Sequence, residues 1–133
     1  MIRLARLGVV LLAVAIAGGC GSAGVAPPTV DVTGFWIGTW YAPNMGNGVL
    51  ELRLEQQGAL VTGDLVWRGS MEGPRAGASI NPTGRLTGKV EGRKFSFDRG
   101  SVPAKGELTV DGDEMRGYVL TTRDADVRVR RQR

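Results

Sequence analysis

The chain has 133 residues, enough for one domain with a modest core, and its 21 glycines with few helix-type periods point to short strands joined by tight turns. It has no histidine and a single cysteine, which excludes imidazole acid–base catalysis, a cysteine–histidine nucleophile, a zinc site and an internal disulfide. The formal charge of +4 shrinks once Arg3 and Arg6 are set aside, leaving 15 basic against 13 acidic side chains, too mild a balance to argue for nucleic acid.

At the N-terminus Arg3 and Arg6 form a positive segment, residues 7–17 form an apolar one, and Ala17-Gly18-Gly19-Cys20 follow with small side chains. The apolar run is too short to span a bilayer. This order resembles the signal peptide of bacterial lipoproteins, with Ala17 where a leucine is more usual. The resemblance implies that residues 1–19 are removed and that Cys20, acylated with chains such as palmitate, becomes the mature N-terminus. It further implies a cell-envelope lipoprotein held at the cell membrane or outer membrane and exposed to the periplasm or cell exterior. Gly21 after the cysteine favours the outer membrane by the family's sorting pattern. An ordinary secretory signal with an incidental cysteine is the alternative. Each buried methylene contributes about 0.8 kcal/mol, so more than one acyl chain anchors a protein without a membrane-spanning helix. Residues 20–32, rich in Gly, Ala and Pro around Pro27-Pro28, read as a flexible tether reaching on the order of 40 Å when extended.

Residues 33–133 read as a single β domain. The first strand, Gly34 to Tyr41, puts Gly34, Trp36, Gly38 and Trp40 on one face and Phe35, Ile37, Thr39 and Tyr41 on the other. Leu50, Leu52 and Leu54 then alternate with Glu51, Arg53 and Glu55. Further strands follow over 60–67, 85–91, 93–98, 105–110, 114–122 and 125–131. Their inward positions are Val61, Gly63, Leu65 and Trp67; Leu86, Gly88 and Val90; Phe95 and Phe97; Gly106, Leu108 and Val110; Met115, Gly117, Val119 and Thr121; and Val127 and Val129. Four of these strands share a loose repeat with a central glycine, at Gly63, Gly88, Gly106 and Gly117. Glycine weakens a strand unless it permits sharp coiling or close packing, and closing a barrel needs both. The expected fold is all-β, an eight-stranded antiparallel up-and-down barrel; an open sheet or a two-sheet sandwich would show the same alternation. In a meander, tight turns at Gln56–Gly58, Glu91–Arg93 and Asp111–Asp113 mark one end. Longer loops over 42–48, 68–84 and 99–104 mark the other, which suggests a cup with its mouth away from the tether.

Gly38-Thr39-Trp40-Tyr41, a glycine-containing loop, an alternating strand and Gly58-Ala-Leu-Val-Thr-Gly63 resemble the opening of avidin-type barrels. Gly34-Phe35-Trp36 with an arginine on the last strand is similar to the lipocalin pattern. The lipocalin resemblance implies a calycin-like barrel in which Arg131 covers the Trp36 ring at the closed end, a cation–π contact of order 1 kcal/mol. Ala42 stands where avidins carry a ligand-binding Asn, and Asp64-Leu65 where they carry a Tyr. The late tryptophans of a biotin site are missing too, so the resemblance carries the fold and not the ligand.

The inward residues of the mouth end, Trp40, Leu50, Trp67, Leu86, Phe97 and Thr121, suit a cup for a small hydrophobic or amphipathic ligand, or simply fill the interior. On the outside, Phe35, Ile37 and Tyr41 with Tyr118 and Leu120 form an apolar patch crossed by Arg128 and Arg130, suited to contact with another envelope protein unless Val30 and Val32 fold back over it. Asp111 to Glu114 reads as a hairpin turn rather than a calcium loop. No phosphate cradle or nucleophile elbow is present, so no enzyme, cofactor or metal is expected. The function expected is a membrane-anchored lipoprotein whose barrel binds a small apolar ligand or, alternatively, a non-catalytic interaction or structural lipoprotein with a self-filled barrel.

Overall fold

A computed structural model describes residues 24–73, 76–77, 79–80, 83–99, 105–120 and 124–133. Cys20 and Thr121 lie outside the described residues, as do residues 100–104 of the expected 99–104 loop. The strands are β1 (Gly34–Ala42), β2 (Gly46–Gln57), β3 (Leu60–Met71), β4 (Ser79–Ile80), β5 (Thr83–Glu91), β6 (Lys94–Asp98), β7 (Lys105–Asp111), β8 (Glu114–Leu120) and β9 (Asp124–Arg131). All pairings are antiparallel. Eight strands form a closed up-and-down barrel, with β1 pairing both β2 and β9, while β4 is a two-residue addition to the upper part of β3.

The alternation fixes the inward face as the sequence implies. Trp36, Leu52, Leu65, Val90, Phe95, Leu108, Met115, Val119 and Val129 belong to one fully buried core. Register explains how bulky rings fit inside. Gly38 lies between Leu50 and Val129, Gly63 between Leu54 and Leu86, Gly88 between Val61 and Phe97, and Gly106 between Phe97 and Val119. The repeated glycine thus places a gap beside a large residue on each neighbouring strand, which is the interdigitation a narrow barrel requires. A Cβ on Gly106 would stand 2.2 Å from the Phe97 ring, and one on Gly69 would stand 2.4 Å from the Trp40 ring.

At one end Gly58, Gly92 and Gly112, with φ of 61°, 57° and 58°, each lead a two-residue hairpin loop, a place that demands a left-handed first residue. The other end departs from expectation. The expected 42–48 loop is a turn of Pro43 to Met45, because Asn44 accepts a left-handed φ of 57° and Gly46 begins pairing at once with Ala42. Strand β3 also continues past Trp67 to Met71 alongside Gly46–Leu50, absorbing the start of the expected 68–84 loop. The asymmetry that suggested a cup is correspondingly smaller.

The expected tether over 20–32 is described from residue 24. From Ala26 onward it is bonded across the closed end: Gly92 N donates to Pro27 O at 3.1 Å, Thr29 N donates to Gly92 O at 2.9 Å, and Val32 N donates to Gln56 Oε1 at 2.8 Å. Val32 is fully buried in the core and Val30 packs against it. A segment without strand periodicity is thereby held as a strap, since an apolar pair and a row of backbone groups find partners at the open bottom of the barrel.

Gly106→Ala is expected to destabilise the fold by about 1–3 kcal/mol through overpacking against Phe97. Urea denaturation would measure it, and adding Phe97→Leu should restore part of the loss; an unchanged midpoint for the single variant would refute the gap-filling role.

Candidate functional site

At the closed end, Trp36 donates from Nε1 to Val32 O at 2.8 Å, so the buried indole nitrogen is satisfied by the strap. Arg131 stacks its guanidinium over the Trp36 ring at 4.4 Å from the centroid, as the expected closing pair requires. The same guanidinium donates from Nη1 to Thr33 O and from Nη2 to Asp31 O at 2.7 Å, and its Nε lies 3.1 Å from Asp113 Oδ1. One side chain therefore fastens the last strand, the first strand and the strap together.

Towards the other end the expected cup residues are brought together inside the barrel. Trp40 and Trp67 stack at 4.5 Å with an interplanar angle of 20°, and Trp40 Nε1 donates to Arg68 O at 2.8 Å. Leu50 faces Trp67 across the β2–β3 pair, and Leu86 and Phe97 lie on β5 and β6. Trp40, Leu50, Trp67, Leu86 and Phe97 are all buried, with at most 3% of their surface exposed. Their burial is that of a packed core.

The outer wall is different. Reading across β2, β1, β9 and β8, one row is Asn47, Tyr41, Asp126 and Tyr118; the next is Val49, Thr39, Arg128 and Arg116; the next is Glu51, Ile37, Arg130 and Glu114. Tyr41 and Tyr118 remain 49% and 38% exposed, while Phe35 and Ile37 are half-buried. Val30 and Val32 sit at the closed end, so the strap does not bury the two tyrosines. Arg53 lies over the Phe35 ring at 4.6 Å. Leu120 ends β8, paired with Asp124 and Lys105.

Sequence reading missed the hub of this wall. Glu114, read only as the residue where a hairpin turn passes into a strand, contacts three arginines: Arg116, Arg128 at 3.2 Å and Arg130 at 3.2 Å. Arg116 and Arg128 stand directly opposite each other, a like-charge pair that is unfavourable without the shared carboxylate. The signal was present in the strand phase, but only barrel closure sets the register that gathers the three. Glu114 is held below the usual carboxylate range by the hydrogen bond from Arg116 and then that from Arg128. Asp113 is lowered likewise, chiefly by its hydrogen bond from Arg133 at 2.8 Å, and Asp31 by that from Thr33. No group of three or more metal-ligating side chains occurs among the described residues.

Compared with protein-family models, curated proteins and solved structures, the chain matches none. What the geometry defines is a closed eight-stranded barrel with an arginine-fastened bottom and a tyrosine–arginine wall.

Removing the Arg131 side chain (Arg131→Met) is expected to cost about 2 kcal/mol, from the lost cation–π contact and charged hydrogen bonds, read as a lower urea midpoint. The lowered carboxyls stabilise the fold above their unfolded values of about 4, and this contribution is lost as pH falls through their folded values. Stability should accordingly be flat near neutrality and decline below about pH 4, with a shallower decline in a Glu114→Gln, Asp113→Asn variant. An equal decline in that variant would remove these two groups as the cause.

Proposed function

We propose that this is a non-catalytic cell-envelope lipoprotein, anchored through an acylated Cys20, that works by contacting another envelope protein through the outer wall of β1, β9 and β8. The anchor is supported by the order of Arg3, Arg6, the apolar residues 7–17 and Ala17-Gly-Gly-Cys20, which resembles a lipoprotein signal. The observation that carries the reading is the contrast between interior and exterior. The residues first suited to a ligand cup are buried against one another, whereas Tyr41 and Tyr118 flank the wall row above three arginines that share one carboxylate. Exposed tyrosine and arginine are the side chains enriched at protein contacts. The ligand-binding alternative would need the Trp40–Trp67 stack to open.

The test is photo-crosslinking in intact bacterial cells expressing the full chain, with the photoreactive residue at Tyr118 or, on the opposite wall, at Thr87. A discrete adduct is expected from position 118 alone and should disappear on adding Ile37→Glu; adducts of equal strength from both positions, or none, would sink the wall contact. Cys20→Ser should move the protein from the membrane to the soluble fraction. Native mass spectrometry of residues 25–133 should give the bare chain mass, and a co-purifying small molecule lost in Trp67→Ala would return the function to the barrel interior.

A further inference from the structure

The two most exposed large apolar side chains among the described residues are Leu60 at 69% and Val25 at 61%. Both lie at the closed end. Leu60 follows the Gly58–Ala59 turn, whose Ala59 O accepts from Val90 N beside the β5–β6 hairpin. Val25 precedes Ala26, whose carbonyl accepts from Gly92 N at the tip of that same hairpin. Ala26 and Pro27, also exposed, continue the surface. The cations nearby are paired locally: Lys89 with Glu91, Arg93 with Asp111 at 3.1 Å, and Lys94 with Glu107 at 3.3 Å. Around Leu60 and Val25 these charges therefore cancel and the attraction is apolar, while Arg131 and Arg133 share Asp113 at the β7–β8 turn of the same end.

The chain preceding Ala26 decides what faces this surface. If Cys20 carries the acyl chains, as proposed above and on which this inference rests, the strap fixes the exit point at the β5–β6 turn. The link from Cys20 to Ala26 then reaches at most about 20 Å, half of what a free tether over 20–32 would allow. We infer that the closed end is a bilayer-docking surface, with Leu60 and Val25 entering the headgroup–acyl boundary of the glycerophospholipid membrane that holds Cys20. Two such side chains are too few to bind a free protein. A short link raises the local lipid concentration enough for them to orient a tethered one. Docking at this end sets the barrel axis across the membrane plane, leaves the β1–β9–β8 wall facing sideways, and turns Asn44 and Asn47 away from the lipid.

The experiment uses the acylated full chain in phosphatidylcholine vesicles, carrying a nitroxide on Ala59→Cys or on Asn47→Cys, with relaxation by a water-soluble nickel chelate as readout. The label at 59 should be relaxed severalfold less than that at 47, and adding Leu60→Gln with Val25→Gln should abolish the difference while the protein still floats with the vesicles. Both replaced residues are exposed, so an unchanged urea midpoint is expected to show that the fold is intact. Equal relaxation at 59 and 47 in the wild-type background overturns the docking while leaving the anchor standing. Protection of both labels means that the barrel lies on its side, which overturns it too. A full chain that fails to float overturns the anchor and the docking together.

Discussion

The contact on which the structure depends is the one that fastens its two ends. Arg131, near the end of the last strand, lies over the Trp36 ring of the first and donates to the carbonyls of Thr33 and Asp31 before it. A barrel closes only if first and last strands pair, and here the pairing of Trp36 with Arg131 is the bottom rung of that seam. The guanidinium satisfies the seam in three ways at once, by ring contact, by charged hydrogen bonds and by the Asp113 carboxylate at 3.1 Å. Because Trp36 in turn holds Val32 through its indole nitrogen, the strap is part of the same assembly. The bottom of the barrel is closed by polypeptide rather than by side chains alone.

Filling follows from closure. Eight strands leave an interior only as wide as the side chains that line it, so each large residue needs a small neighbour across the ladder. Gly69 yields to Trp40 and Gly106 to Phe97, and the Trp40–Trp67 stack occupies what would otherwise be the mouth. A core of this kind gives stability and shape. On the outside, the two ends and the walls differ in chemistry.

Those differences are electrostatic as much as apolar. The wall gathers Arg116, Arg128 and Arg130 around Glu114, a carboxylate only 17% exposed, and sets tyrosines in the row beyond. The closed end pairs its cations locally and exposes Leu60 and Val25 instead. Arginine and tyrosine are enriched at protein contacts, and exposed aliphatic side chains favour lipid surfaces.

The eight barrel strands and their inward faces were legible in the alternation, because a period of two survives any register, whereas the two-residue β4 lies within the expected 68–84 loop. The glycine repeat and the three tight turns announced themselves by the same local logic, since Gly58, Gly92 and Gly112 occupy backbone conformations that other residues resist. The site was legible only in part. Phe35, Ile37, Tyr41 and Tyr118 could be placed outside, and Trp36 with Arg131 could be matched through a family pattern, but Glu114 could not be seen as the hub of three arginines. Nor could the strap be told from a spacer, because Val30 and Val32 show no periodicity and find their partners in Gln56, Gly92 and the core. The sequence by itself determined which residues point in and where the chain turns, for these are set by neighbours along the chain. Tertiary structure alone decided that Trp40 stacks on Trp67, that residues 26–32 bond across the closed end and that three arginines share one carboxylate, because each depends on which strands lie side by side and at what register.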